Sequence, residues 1–286
     1  MVLFVSAKSQ NLVPNGSFEE FIDCPSTLED IQAIGWSNSR GSCDYFNGCN
    51  NDIDGCGVGV PCNVLGYQEA FQGQAYLGFV QFSSGSPDYR EQVTCTLNES
   101  LVIGETYYFS MKINRGHSIS GIKASSGQGF LMSNEQFNSN DNPSPAFEEF
   151  TYVNTEIISD STNWTTISTS FIAEEEYSEI VLGAFLQTDM LDTASVGTPL
   201  PYGQAYYFID DVRLSSDSVF VNTHVPWNKD NSGSGLKIYP NPNRGSISFN
   251  QVIRSGNVVI RNTAGEAVMR FEIKDNLTEL DCSKLP

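Results

Sequence analysis

The sequence predicts an all-β protein, a β-sandwich or barrel followed by a smaller β unit. Short runs rich in aromatic and β-branched residues recur along the chain, several with apolar and polar residues alternating. Turn signals separate them, drawn from 24 glycines and 12 prolines in 286 residues. No convincing amphipathic helix interrupts the series, which leaves a sandwich or barrel.

The chain carries 34 acidic against 15 basic residues, a formal net charge of −19. That balance repels nucleic-acid phosphates and anionic membranes, so neither is expected as a partner. No apolar run approaches the ~18 residues of a transmembrane helix.

At the start, Val2 to Val5 read as the end of an apolar core, and Ala7 and Ser9 place small residues where a signal peptidase needs them. Residues 1–9 are therefore expected to be the remnant of a secretory signal peptide, the alternative being an ordinary first strand. From Asn11 to about Gly66 the chain reads as irregular. Six cysteines, Cys24, Cys43, Cys49, Cys56, Cys62 and Cys95, crowd the first third, and Cys282 stands apart. Without a C-x-x-C pair they read as disulfide partners in an oxidising compartment rather than zinc ligands. Their connectivity is left open. Asn50-x-Asp52-x-Asp54-Gly55 opens like a calcium loop, but Cys62 stands where an EF-hand needs Glu, so a disulfide-tied turn is the better reading.

Strands are expected at Ala75 to Gln81, Tyr89 to Thr96, Thr106 to Ile113, Gly129 to Ser133, Phe150 to Ile158, Thr165 to Ala173 and Glu179 to Leu186. Within the third, Tyr107, Phe109, Met111 and Ile113 fall inward. In the sixth, Ile167, Thr169, Phe171 and Ala173 share a face. The closing strand, Tyr206 to Leu214, places Tyr206, Phe208, Val212 and Leu214 on one face with Asp210 among them. A carboxylate on an apolar face needs a partner or a cation, and Glu19 is the candidate second carboxylate.

Residues 216–235, ending Ser232-Gly-Ser-Gly235, read as a flexible linker. The unit 236–286 then offers strands at Ser246 to Asn250, Val258 to Asn262, Ala267 to Ile273 and Thr278 to Asp281.

Catalytic signatures are missing from the sequence. His117 and His224 have no nucleophile motif or second histidine beside them. The acid runs Glu148-Glu149 and Glu174 to Glu176 read as solvated. A non-catalytic binding protein is expected, and Trp36, Tyr67, Tyr89, Trp164 and Tyr202 are its candidate ligand-stacking rings. Each could equally be a core residue.

Two resemblances add to this. Tyr239-Pro240-Asn241-Pro242-x-x-Gly245, then Asn262-x-x-Gly265-x-x-Val268 and Leu280 to Pro286, resemble the C-terminal sorting domain of the type IX secretion system of Bacteroidota. The family usually continues with Gly-x-Tyr and final strands, so the unit 236–286 reads as a truncated, incomplete β-sandwich sorting domain. The resemblance implies the type IX machinery as a partner, periplasmic transit, and release or anchoring at the outer-membrane surface. Asn11 to Glu19, Gly35-Trp36, Gly73 to Gly78, Leu101 to Tyr107, Asn163-Trp164 and Ile209 to Val212 are similar to galactose-binding-like jelly rolls, including carbohydrate-binding modules. That resemblance implies a jelly-roll β-sandwich over 10–215 and a glycan or surface-matrix ligand. It also implies a structural calcium ion held by Glu19 and one of Asp210 or Asp211. The alternative is a surface adhesin or scaffold that recognises protein.

Overall fold

The computed structural model describes residues 11–50, 56–86, 88–117, 123–144, 149–196 and 203–222, with the backbone of 238–239, 246–253, 256–261, 267–273 and 277–281. Outside the described residues lie the expected signal remnant 1–9, the calcium-like loop 51–55, Tyr202, His224, Pro240, Asn241, Pro242, Gly245, Gly265 and Cys282. The chain divides into two compact units, Met1–Pro226 and Trp227–Pro286.

The first unit begins with β1 (Trp36–Arg40), β2 (Asp44–Asn47), a small hairpin of β3 (Cys62–Asn63) and β4 (Gly66–Tyr67), β5 (Ala75–Ser83), β6 (Gln92–Thr96) and β7 (Thr106–Arg115). It continues through β8 (Lys123–Ser125), β9 (Gln128–Ser133), β10 (Tyr152–Val153), β11 (Thr165–Ile172), β12 (Glu179–Ala184), β13 (Thr193–Ser195) and β14 (Gln204–Ser215). Ten of these form two five-stranded sheets, ordered β1-β6-β12-β9-β10 and β11-β7-β14-β5-β2. From β5 onward the chain steps between sheets through β6, β7, β9, β11, β12 and β14, the alternation of a jelly-roll β-sandwich.

The main core lies between the sheets. Tyr107, Phe109, Met111 and Ile113 of β7 enter it as alternation predicts. Phe109 meets Phe130 across the sandwich with ring centroids 4.1 Å apart.

β14 departs from simple alternation. Its register with β7 shifts between Asp210 and Arg213, and Asp211 sits at φ 49°. This bulge inserts a residue and flips the faces after it. Tyr206 and Phe208 therefore lie on the outer face of their sheet, clustered with Phe46, Tyr76, Val58 and Leu65, whereas Val212 and Leu214 lie in the main core. The four do not share a face.

The stretch expected to be irregular contributes β1 to β4, and its segment from Val58 to Ala70 covers that outer aromatic cluster. Two disulfides tie it, Cys24–Cys49 and Cys56–Cys62. Cys43 and Cys95 are instead free thiols buried in the main core, where they pack as small apolar side chains. The strand expected from Phe150 to Ile158 is reduced to β10. Asn154 ends it, its side chain accepting the Glu156 N–H at 3.3 Å and donating to the Glu156 carbonyl at 2.6 Å.

The expected linker starts with ordered structure. Asp217 Oδ1 accepts the N–H groups of Val219 (2.8 Å) and Phe220 (3.3 Å) at the start of α1 (Ser218–Asn222). Val221 is buried and its carbonyl accepts Ser110 Oγ of β7 at 3.3 Å. These residues belong to the first unit.

In the second unit, β15 (Ile238–Tyr239), β16 (Ser246–Ile253) and β19 (Leu277–Asp281) form one sheet, in that order. Between them in sequence, β17 (Gly256–Arg261) and β18 (Ala267–Ile273) pair with each other.

Candidate functional site

The N-terminal segment is laced onto the closing strand. Asn11 Nδ2 donates to the Val212 carbonyl at 2.8 Å, and Asn11 Oδ1 accepts the Leu214 N–H at 2.9 Å. The Val212 N–H donates to the Gly16 carbonyl at 2.8 Å. This lacing brings Glu19 to residues 71–75, which lie against β14.

Glu19 Oε1 accepts the N–H groups of Gln74 (2.8 Å) and Ala75 (2.9 Å). A Cβ on Gly73 would lie 2.1 Å from the Glu19 carboxyl carbon, so only glycine fits there. Asp210 is fully buried. Its Oδ2 accepts the N–H groups of Phe71 (2.8 Å) and Gln72 (2.9 Å), and its Oδ1 accepts that of Asp211 (2.6 Å). Burial drives the Asp210 carboxyl well above the usual range. The backbone N–H groups oppose that rise, and the charges of Asp211 and Glu19 add to it.

The resemblance implies calcium at Glu19 and one of Asp210 or Asp211, and the structure brings Glu19 and Asp210 to the same stretch, residues 71–75. Asp210 is a buried carboxylate whose hydrogen bonds come from neutral N–H groups, and the Glu19 charge reaches it. Asp211 Oδ1 is paired with Arg213 Nε at 2.8 Å. Among the described residues no three His, Cys, Asp or Glu side chains gather as a metal cage.

A second acidic cluster was not foreseen. Asp44 Oδ1 accepts the Glu29 N–H at 2.7 Å, and its Oδ2 accepts Tyr206 Oη. Glu91 Oε2 accepts the Val80 N–H at 2.6 Å, and its Oε1 accepts Tyr89 Oη. Burial raises both against these hydrogen bonds, Asp44 to about 6 with the Glu29 charge adding, and Glu91 to about 7 with the Asp44 charge adding. Only β2 pairing with β5 reveals this cluster, and β2 is too short and too buried to announce itself.

The four candidate rings among the described residues are dispersed. Trp36 is only 5% exposed, packs edge-on to Phe18 at 5.1 Å, and donates its indole N–H to the Asn15 carbonyl. It is a core residue and offers no face to a ligand. Trp164 is edge-on to Tyr76 at 5.8 Å and donates to the Glu69 carbonyl, so it helps seal the outer cluster. Tyr67, 64% exposed, stands on the β3–β4 hairpin, and Tyr89, 38% exposed, holds Glu91.

A concavity lies elsewhere. A groove of about 440 Å³ opens between the two sheet edges formed by β10 and β11. Tyr152, Asn154, Glu156, Asp160, Thr166 and Ser168 line it with others. Asp160 is committed to its own turn, accepting the N–H groups of Thr162 (2.7 Å) and Asn163 (3.0 Å). Thr166 Oγ1 accepts Lys112 Nζ at 2.6 Å. Glu156 and Ser168 are exposed, and Tyr152 is half-buried.

No family model matches the chain, and no curated protein matches it. Solved structures do. The CBM22-1 xylan-binding domain of Paenibacillus barcinonensis Xyn10C is 14% identical, with TM-score 0.35 over 70% of this chain and 90% of that one. The K1 cleaved adhesin domain of Lys-gingipain from Porphyromonas gingivalis is 11% identical, with TM-score 0.34 over 70% and 96%. A family 11 carbohydrate-binding module from Clostridium thermocellum, in complex with a β-1,3-1,4-mixed-linked tetrasaccharide, is 9% identical, with TM-score 0.31 over 68% and 94%. At these scores nothing about ligand or activity passes from them to this chain.

Proposed function

We propose that the first unit is a non-catalytic extracellular binding module for glycan, with the sugar seated in the groove between β10 and β11. The groove itself carries this reading. Its volume, about 440 Å³, lies within the range of small-molecule sites. Tyr152, half-buried with its ring stacked on Phe130 at 6.1 Å, brings an aromatic edge to the groove, while Glu156 and Ser168 supply exposed hydrogen-bonding groups. The two disulfides support an oxidising compartment.

A calcium ion at Glu19 and Asp210 would be structural, tying the first segment to the last strand; Asp211 takes no part. Export by the type IX machinery to the outer-membrane surface rests on the sequence resemblance of the second unit. Peptide mass mapping of the protein released by a type IX-competent host tests it: loss of the residues after 235 from the mature form is expected, and retention inside the periplasm contradicts it.

The glycan reading is tested by affinity electrophoresis of the full chain through gels loaded with plant, algal or host polysaccharides. Retardation by one class, weakened by Tyr152→Ala, is the expected result. Unchanged mobility in every gel contradicts it. A second reading, adhesion to a polypeptide, is favoured by the free edge of β11.

A further inference from the structure

Among the described residues β11 is the edge strand of its sheet, paired only with β7. It runs eight residues, Thr165–Ile172, in unbroken register from Thr165 opposite Ile113 to Ile172 opposite Thr106. Its sequence, Thr-Thr-Ile-Ser-Thr-Ser-Phe-Ile, has no charge and no proline, and no bulge interrupts it.

Protein sheets normally blunt such edges by brevity, charge, proline, bulges or cover. The other three edges of this sandwich are blunted. β10 has two residues. β1 has a register shift between Asn38 and Arg40, and its Asn38 and Ser39 carbonyls accept the N–H groups of Ser139 and Ser144. β2 has four residues, and the Asn47 N–H donates to the Val58 carbonyl. β11 alone is long, regular and uncovered among the described residues.

The direction of its free groups follows from the ladder ends. The Arg115 N–H donates to the Asp160 carbonyl before the strand, and the Ala173 N–H donates to the Glu105 carbonyl after it. Antiparallel alternation then turns the backbone groups of Thr165, Ile167, Thr169 and Phe171 toward β7. Those of Thr166, Ser168, Ser170 and Ile172 face outward, and all four of these side chains are exposed.

Charge selects the occupant. Exposed Glu156 and Asp160 precede the strand, and exposed Glu105, Glu174, Glu175 and Glu176 stand at its far end. A second copy of this chain, paired in either direction, would set acidic ends against acidic ends.

We propose that β11 is a docking edge for an extended segment of another polypeptide, uncharged and β-prone through its middle and basic at both ends. Backbone hydrogen bonds to Thr166, Ser168, Ser170 and Ile172 hold the segment, and the acidic flanks choose it. This goes beyond the glycan reading: Ser170 and Ile172 lie outside the groove, and the edge needs no sugar.

The test uses the full chain and two labelled synthetic peptides of about ten residues, alternating Thr and Val, one flanked by lysines and one by glutamates. Fluorescence anisotropy is expected to show binding of the lysine peptide that weakens with salt, and glutamate-peptide binding weaker by about tenfold or more. Ser170→Pro removes one outward N–H without touching the β7 ladder, so it should weaken the lysine peptide by about tenfold at unchanged melting temperature. Ser170→Ala should bind as the parent does. Equal binding by Ser170→Pro, or binding of neither peptide, overturns the proposal. A concentration-dependent dimer abolished by Ser170→Pro would assign the edge to a second copy and overturn the choice of partner. Glycan retention measured on the same variants shows separately whether the groove reading fails.

Discussion

Gly16 and Val212 meet so closely that a Cβ on Gly16 would lie 2.1 Å from the Val212 carbonyl oxygen. The oxygen cannot retreat freely. It accepts Asn11 Nδ2 at 2.8 Å, and the Val212 N–H is itself bonded to the Gly16 carbonyl. Gly16→Ala is therefore expected to destabilise the first unit by about 2 kcal/mol, the scale of overpacking in a fixed core. Chemical denaturation checks this, and an unchanged midpoint would show that the N-terminal segment is not locked to β14.

The buried acids set a pH dependence. Asp44 and Glu91 have folded-state pKa values of about 6 and about 7, above their ordinary carboxylate values. Between those ordinary values and about 7 the folded state binds more protons than the unfolded one, so stability falls as pH rises through that window and then levels off. Melting temperatures in chelator should be higher at pH 5 than at pH 8. Glu91→Gln should flatten the slope, and a parent protein more stable at pH 8 would contradict the cluster.

A cation at Glu19 and Asp210 would act on stability by binding the folded form. Calcium should raise the melting temperature of the parent and leave Asp210→Asn unmoved. Asp211→Asn should keep the calcium response, because Asp211 is paired with Arg213. Equal melting with calcium and with chelator would remove the metal from the account.

Peptide mapping under non-reducing conditions should recover Cys24–Cys49 and Cys56–Cys62, with Cys43 and Cys95 alkylated only after unfolding. Chain-entropy arguments give about 3.5 kcal/mol for the first bridge, which spans 25 residues, and about 2 kcal/mol for the second, which spans 6. Replacing Cys24 and Cys49 by Ser should cost more than replacing Cys56 and Cys62.

The sandwich was legible where one strand face meets the core and the other does not. β7 and β11 alternate, and their inward residues were readable from the sequence. β2, with all four residues buried under an outer layer, has no alternation to read. β14 misled because the bulge rests on Asp211 at φ 49°, a conformation for which glycine would have been the usual sign. Asp210 was rightly singled out as needing a partner, but backbone N–H groups from Phe71 and Gln72 meet it, and local sequence pattern does not reveal such contacts. The groove was invisible for a related reason. It is made where β10 and β11 edge the two sheets, and neither Tyr152 nor Glu156 belongs to a motif. Cys43 and Cys95 are free thiols inside the core, a placement that spacing alone does not give.

The most direct measurement is a broad glycan array probed with the full chain and with a Tyr152→Ala, Glu156→Gln double variant, each with calcium and with chelator. Retention on one glycan class by the parent is expected, lost by about tenfold or more in the double variant while that variant remains folded. A blank array from folded parent protein, or equal retention by the double variant, would contradict a sugar site between β10 and β11.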